Sequence, residues 1–174
     1  MSSSVTSKQP TKTGSKLLFD LTGIDLDAVV ATREDIGKVN PHRGSMAMLD
    51  CIVWTSPDMS KSIAKVQVRG DEFWAAGHFP GKPLFPGVLM IESGAQLANY
   101  LFNVRTPIEN ICALLNVDDA RFRMPVEPGQ TLYILLDSVK WTAKRFTCRV
   151  QGVVGDQIAF ECSVSGIAIN SKKQ

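Results

Sequence analysis

Residues 77–92 read GHFPGKPLFPGVLMIE, and this stretch decides how the chain is organised. Its first half repeats proline and glycine, which hold the backbone around His78 stiff and permit close approaches. Pro86 suits the first position of a helix, where a proline sacrifices no hydrogen bond. The residues from Val88 to Phe102 are apolar or small nearly all round. The stretch therefore predicts a rigid loop that carries a histidine and leads into one long, buried helix.

Strand-like patterns lie on both sides of this helix. Residues 46–55 and 62–68 precede it, and residues 111–117, 132–141, 145–154 and 158–169 follow it. The dipeptide Gly155-Asp156 marks a tight hairpin between the last two strands. One sheet around one helix is an α+β arrangement. Since that core is small for 174 residues, dimerisation is a natural completion.

The chain is expected to divide into four parts. Residues 1–16 are rich in Ser, Thr and Lys and predict a flexible tail, with an organelle transit peptide as the alternative. Residues 17–39 form an N-terminal arm, with a short extended piece at residues 17–19 and a weak helix at residues 27–39. Thr32 and Asp35 are its capping pattern. Residues 40–170 form the main domain, and residues 171–174 are a short tail.

Composition excludes several classes of protein. The formal net charge of +2 is too small to indicate nucleic-acid binding. The longest apolar run, residues 85–91, is far shorter than the roughly 20 residues that span a membrane. No secretory signal begins the sequence, so we expect a cytoplasmic protein. The cysteines lie in strand-like contexts without C-x-x-C spacing, which predicts buried small hydrophobes and no metal site: Cys51, Cys112, Cys148 and Cys162.

Two side chains in the opening stretch are candidates for acid–base chemistry. His78 lies in the stiff loop, and stiffness favours a catalytic base, although a purely structural loop histidine is the alternative. Glu92 lies on the helix beside Val88 and Gln96, where an ionised carboxylate is costly unless it finds a partner. An exposed stripe is the alternative for Glu92, and it would comprise Glu92, Ser93, Gln96 and Asn99.

Gly87 is the third candidate, because it falls in the first turn of the predicted helix. The N–H groups there lack partners inside the helix, and the helix dipole is positive at this end. A carbonyl oxygen that gains negative charge could be stabilised by such a group, as in an oxyanion hole. The alternative is that glycine only permits tight packing at this position.

Three stretches of the sequence resemble signatures of the β-hydroxyacyl-(acyl-carrier-protein) dehydratases, the FabA/FabZ family. Residues 77–96 resemble the active-site signature of that family. Residues 40–43 (NPHR) and 48–50 (MLD) resemble its second signature, and residues 119–126 (DARFRMPV) with Pro128-Gly129 resemble its third. The resemblance runs in order from about residue 33 to 169. Asn40 stands where the family usually has leucine, and Gly44-Ser45 replaces bulkier residues.

The resemblance implies the hotdog fold, an antiparallel sheet wrapped around one long central helix, with two protomers joined edge to edge in a double-hotdog dimer, or with three such dimers in a hexamer. It implies dehydration of (3R)-3-hydroxyacyl-acyl-carrier-protein to trans-2-enoyl-acyl-carrier-protein in fatty-acid or related lipid biosynthesis. His78 would remove the α-proton, Glu92 of the other subunit would protonate the leaving hydroxyl, and Gly87 N–H would polarise the thioester. A glutamate as the acid, at position 92, is similar to the FabZ type of the family. The resemblance implies no metal or cofactor of the protein itself. The acyl chain would be carried on the phosphopantetheine of the acyl carrier protein.

The same resemblance implies further contacts. The residues expected to contact the substrate are Phe79, Pro86, Val88 and Gln96. The basic residues expected to dock the acidic carrier protein are Lys82, Arg121, Arg123 and Lys144. A solvated face, or internal ion pairs with Asp118 and Asp119, is the alternative for these basic residues.

Two other functions are compatible with the fold. A hotdog acyl thioesterase would use Glu92 to activate water, and a non-catalytic acyl-thioester-binding subunit would keep the pocket without turnover. The stiff loop around His78 argues against the thioesterase. Retention of both His78 and Glu92 argues against the binding subunit.

Overall fold

The structure is a computed structural model that describes residues 16–106 and 110–170. The two predicted tails lie outside the described residues, apart from Lys16. The elements in chain order are β1 (Ala31–Thr32), α1 (Arg33–Val39), a 3-10 turn (Gly44–Met46), β2 (Cys51–Thr55), β3 (Lys61–Gln67), α2 (Gly87–Arg105), β4 (Asn110–Phe122), β5 (Thr131–Trp141), β6 (Arg145–Val154) and β7 (Gln157–Asn170).

The strands form one antiparallel sheet of seven strands in the order β1-β2-β3-β5-β6-β7-β4. Helix α2 packs along one face of this sheet and contacts strands β3 to β7. The α+β prediction and the hotdog fold are therefore confirmed. The predicted hairpin between β6 and β7 is also present, and Gly155 takes the left-handed φ of 60° that such a turn needs.

Two strand predictions differ from the structure by more than one residue at an end. The segment predicted as a strand from residue 46 begins with a 3-10 turn, and β2 starts only at Cys51. Strand β4 continues to Phe122 instead of ending at Val117, because it follows β7 along nearly its whole length. The pattern missed this extension because polar residues such as Asp118 and Asp119 lie within it.

Helix α2 begins one residue later than predicted, with Pro86 as its N-cap. The Pro86 carbonyl accepts from the N–H groups of Leu89 and Met90 at 2.9 and 3.2 Å. The helix continues past Phe102 to Arg105, whose guanidinium lies 4.0 Å from the centre of the Trp141 ring. This cation–π contact stabilises the last turn of the helix, which lies beyond the apolar pattern.

The main core lies between α2 and the sheet. Leu97, Ala98, Leu101 and Phe102 of the helix are fully buried against side chains of the strands. The approach is close at Gly94, where a Cβ atom would lie 2.5 Å from Val150 Cγ1. The mostly apolar character of this helix is therefore explained by the sheet, of which five strands contact it.

The arm differs in part from its prediction. Helix α1 starts at Arg33 instead of residue 27, because Ala31 and Thr32 pair with β2. The capping pattern is confirmed: Thr32 Oγ1 accepts from Asp35 N at 3.2 Å, and Asp35 Oδ2 accepts from Thr32 N at 3.1 Å. Residues 17–19 form no strand of the sheet.

Residues 17–26 cover the second face of the sheet. Leu18 N–H donates to Gln151 Oε1 at 2.9 Å, and the Phe19 ring centre lies 5.7 Å from that of Trp54. The apolar residues of this segment pack on a second cluster, which comprises Cys51, Val53, Ile63, Leu135 and Val153. The arm thus shields an apolar surface that α2 does not reach.

Three of the four cysteines are buried, and Cys112 is half-buried. Burial raises the pKa of the Cys148 and Cys162 thiols to about 12 and that of Cys112 to about 11. They act as small apolar side chains, as predicted. No helix among the described residues has the length and apolar character that a membrane crossing requires.

Candidate active site

His78 is fixed by hydrogen bonds of its own loop. Its N–H donates to Trp74 O at 2.9 Å, and its carbonyl accepts from Leu84 N at 2.7 Å. The ring atom Nδ1 lies 2.9 Å from Leu84 O. Because a carbonyl oxygen only accepts, Nδ1 carries the hydrogen and Nε2 keeps a free lone pair. The geometry therefore leaves Nε2 as the atom that can take a proton.

A cavity of about 530 Å³ opens at this loop. It is enclosed by the loop, the first turn of α2 and the segment at the end of β4. Its lining residues are His78, Leu84, Phe85, Pro86, Gly87, Val88, Met90, Phe122, Arg123, Met124 and Pro125. The lining is apolar except for His78 and Arg123, and the volume lies within the range of small-molecule sites.

Gly87 lines this cavity as the first residue of α2, so its N–H has no partner inside the helix. A Cβ atom at this position would lie 2.6 Å from Phe122 Cε1. Glycine is thus needed for close packing against β4, and the same residue lines the cavity. The two interpretations of Gly87 are compatible.

Glu92 lies one turn further along α2 and does not line the cavity that contains His78. Its Oε1 accepts from Gln96 Nε2 at 2.8 Å and lies 3.5 Å from His42 Nε2. The side chain is 26% exposed, so it is neither fully buried nor free. The alternative of an exposed stripe is wrong, because its other members are buried: Ser93, Gln96 and Asn99.

The substrate residues expected from the resemblance lie in different places. Pro86 and Val88 line the cavity, and Phe79 stacks on the His78 ring with 4.2 Å between ring centres. Gln96 is 2% exposed and does not line the cavity. Its Oε1 accepts from Met48 N at 3.1 Å and its Nε2 donates to Met46 O at 2.7 Å. The geometry gives Gln96 a supporting contact to Glu92.

The basic residues expected to dock a carrier protein are also dispersed. Lys82 is exposed in the His78 loop, and Lys144 is exposed in the turn between β5 and β6. Arg123 pairs with Glu161 of β7, and Arg121 Nη1 lies 3.9 Å from the same carboxylate. Within the described residues the ion-pair partner of both arginines is thus Glu161, and not Asp118 or Asp119.

His42 is a neighbour of Glu92 to which the sequence assigned no role. Its Nδ1 is buried without a hydrogen-bond partner among the described residues. Burial lowers the pKa of His42, the Glu92 carboxylate opposes this shift, and Arg43 adds to it. The segment NPHR, which resembles a family signature, was the signal that could have pointed to His42.

No cluster of three or more His, Cys, Asp or Glu side chains suited to a metal ion occurs in residues 16–106 and 110–170. The fold and the site together define a hotdog protein with a histidine and a helix N-terminus at one apolar cavity. Acid–base chemistry on an acyl group is what such an arrangement can perform.

Comparison with known proteins agrees with this class. The model of the FabA-like domain family matches residues 40–163. The 3-hydroxyacyl-(acyl-carrier-protein) dehydratase FabZ of Protochlamydia amoebophila is 30% identical over 133 residues, covering 76% of this chain and 86% of that protein. The enzyme of that name from a Wolbachia of Drosophila simulans is 35% identical over 140 residues, covering 78% and 95%. The chain belongs to the FabA-like family.

Solved structures show the same fold at lower identity. The dehydratase heterocomplex ApeI:P from Xenorhabdus doucetiae matches with a TM-score of 0.69 and 15% identity, covering 78% of this chain and 91% of that one. A virulence protein from Campylobacter jejuni matches with a TM-score of 0.57 and 14% identity, covering 81% and 94%. At these identities the likeness concerns the fold alone.

Proposed function

We propose that the protein is a 3-hydroxyacyl-(acyl-carrier-protein) dehydratase of the FabZ type. It removes water from a (3R)-3-hydroxyacyl thioester to give the trans-2-enoyl thioester, a step of fatty-acid or related lipid biosynthesis. The observation that carries the proposal is the cavity that His78 and the first turn of α2 share. The two FabZ relatives, each covered over most of its length, support the same reaction.

His78 is the base in this proposal. Its Nε2 takes the α-proton of the acyl chain, while the Nδ1–H bond to Leu84 O stabilises the positive ring that results. The electron pair of the broken C–H bond moves toward the thioester carbonyl. Gly87 N–H, at the positive end of α2, stabilises the negative charge on that oxygen.

Glu92 is the acid. As the electron pair returns to form the C=C bond, the C–O bond at the third carbon breaks, and the Glu92 proton completes the leaving water. All bonds and protons balance with these side chains, so we propose that no metal or cofactor takes part. The phosphopantetheine arm belongs to the substrate.

We propose that two protomers assemble this pair, which is supported by the absence of Glu92 from the lining of the His78 cavity of its own chain. Strand β4, of 13 residues, lies at the edge of the sheet, and no strand of residues 16–106 or 110–170 pairs with its second side. Ile111, Leu115 and Val117 on it are between 38% and 49% exposed. A long apolar edge strand favours pairing with an identical strand, so we propose a homodimer joined through β4.

The reaction is tested with purified protein and a short 3-hydroxyacyl-acyl-carrier-protein, following the conjugated enoyl thioester. Wild type should turn over, and His78→Ala and Glu92→Gln should each lower kcat by about 10²- to 10⁴-fold. Both variants should keep the wild-type unfolding midpoint. Release of free thiol without enoyl product would indicate a thioesterase, and binding without either product would indicate a non-catalytic subunit.

The shared site is tested by mixing the two inactive variants. Co-expressed His78→Ala and Glu92→Gln subunits form mixed dimers in which one site keeps both wild-type side chains. About one quarter of wild-type activity should return if the residues come from different subunits. A mixture that stays inactive would place both residues of each site in one subunit.

Carrier-protein docking is proposed for Lys82, Arg121, Arg123 and Lys144, as is a cytoplasmic location for the protein. Arg121 is the sharpest test, because its side chain is 64% exposed and its ion pair is long. Arg121→Glu should raise KM for the carrier-bound substrate and leave KM for a small pantetheine thioester unchanged. Equal effects on both substrates would exclude a docking role.

A further inference from the structure

His42 and Glu92 face each other from two different elements. Glu92 belongs to α2, and His42 belongs to the loop between α1 and the 3-10 turn, which carries residues 40–43. The distance from His42 Nε2 to Glu92 Oε1 is 3.5 Å. This is longer than a typical hydrogen bond, and catalytic hydrogen bonds are often long in structures without substrate and shorten when it binds.

The loop is fixed to α2 by buried polar bonds, so the contact follows from the fold. Asn40 Nδ2 donates to Gln96 O at 2.9 Å, and Asn99 Nδ2 donates to Asn40 Oδ1 at 2.8 Å. Arg43 Nη1 donates to the carbonyls of Asn40 and His42 at 2.6 and 2.8 Å. Asn40 is 3% exposed, and its two side-chain bonds set the register of the loop against the helix.

The position of the hydrogen on His42 follows from its surroundings. Nδ1 is buried and has no hydrogen-bond partner among the described residues, and an N–H without an acceptor is costly there. Nε2 faces a carboxyl oxygen, which accepts. A neutral His42 therefore carries its hydrogen on Nε2 and directs it at Glu92.

The bonds of Gln96 fix the orientation of its amide, because Met48 N–H must donate and Met46 O must accept. Its Nε2 therefore donates to Glu92 Oε1 at 2.8 Å. Two donors, Gln96 and His42, converge on the same oxygen. Oε2 is then the oxygen of Glu92 that is left to carry an acidic proton.

We propose that His42 is a positioning residue for Glu92: with Gln96 it holds Oε1 as an acceptor, so that Oε2 presents the proton to the leaving hydroxyl. When that proton departs, the His42 N–H stabilises the carboxylate that forms, which lowers the barrier to C–O cleavage. The inference rests on the proposed dehydratase function. His42 does not touch the substrate in this account, because it acts through Glu92.

The test uses His42→Ala, which removes the donor, and His42→Gln, which places an amide N–H near the position of Nε2. Each is assayed in the full-length protein with the same short 3-hydroxyacyl-acyl-carrier-protein, and its unfolding midpoint is measured. His42→Ala should lower kcat by about 10- to 100-fold, the effect of a lost hydrogen bond to a charged group. KM should not change, and His42→Gln should recover kcat to within about fivefold of wild type.

Three results would overturn the proposal. The first is wild-type kcat in His42→Ala, the second is an equal loss in both variants, and the third is a rise in KM at constant kcat. If His42→Ala does not fold, His42→Gln decides alone, because a kcat far below wild type in a folded His42→Gln protein also overturns it. If the wild-type protein itself does not dehydrate the substrate, the proposed function is contradicted instead, so the two failures are distinguishable.

Discussion

Gln96 Nε2 donates to Glu92 Oε1 across one turn of α2, at 2.8 Å. Gln96 also bonds Met46 and Met48, which belong to the segment that leads into β2. One buried amide thus connects the acid on the helix to the backbone that precedes the sheet. The fold holds the acid in place, so a substitution of Gln96 should change kcat more than KM.

Gln96→Ala should lower kcat by about 10-fold or more with little change in KM, because the Glu92 carboxyl loses a donor that orients it. It should also lower the free energy of unfolding by about 1–3 kcal/mol, since Met46 O and Met48 N lose their partner. The control is Asn103→Ala, which removes another side-chain amide of α2, one that donates to Val39 O. A rise in KM alone would support the direct substrate contact that the resemblance implies.

Gly94→Ala should destabilise the protein, because its Cβ would lie 2.5 Å from Val150 Cγ1 in the core. Overpacking of this kind costs about 1–3 kcal/mol, which exceeds the gain in helix propensity. Gly37→Ala is the matched control in α1, where the nearest atom to a new Cβ is 4.0 Å away. It should stabilise by about 0.5–1 kcal/mol in urea unfolding. If Gly94→Ala and Gly37→Ala changed the free energy of unfolding equally, the close packing of Gly94 against Val150 would be contradicted.

Asp50 should contribute stability that depends on pH. Burial raises the pKa of its carboxyl, but the Gln67 N–H, then Arg69 and Arg33, outweigh burial and hold the pKa below 3.8. A depressed pKa gives stability that is present above the unfolded value and is lost as pH falls through the folded one.

Asp50→Asn should therefore lower the free energy of unfolding by about 1–3 kcal/mol at pH 7, since bonds to a charged group are lost. The difference from wild type should stay constant down to pH 5 and shrink below about pH 4. Asp156→Asn, in the exposed turn between β6 and β7, should change stability by less than about 0.5 kcal/mol. If the difference in the free energy of unfolding between wild type and Asp50→Asn persists at low pH, the charge of Asp50 is not its cause.

Phe19→Ala should weaken the attachment of the arm to the sheet. Phe19 is half-buried against Trp54, and Lys61 Nζ lies 5.6 Å from its ring centre. The loss should be about 1–2 kcal/mol, below the 3–5 kcal/mol of a fully buried phenylalanine. Trp54 fluorescence should shift to longer wavelength in the native state. Unchanged stability and fluorescence would show that the arm does not hold this surface.

Much of the fold followed from local patterns. The stiff loop, the buried helix and the Gly155 hairpin each depend on residues close in sequence, as does the capping pair Thr32 and Asp35. Errors arose where a distant partner decides. Strand β4 runs on to Phe122 because β7 pairs with it, and Ala31 joins the sheet because β2 is available.

The candidate site divides in the same way. Local sequence was sufficient to place His78, Gly87 and Glu92 in one loop–helix unit, because spacing within fourteen residues and helix periodicity are local properties. Tertiary packing was needed to bring His42 to Glu92 Oε1, where it joins Gln96, and to place Glu92 outside the cavity of its own chain. The reason is that these relationships depend on how a loop, a helix and a sheet pack, and packing brings together residues about fifty positions apart.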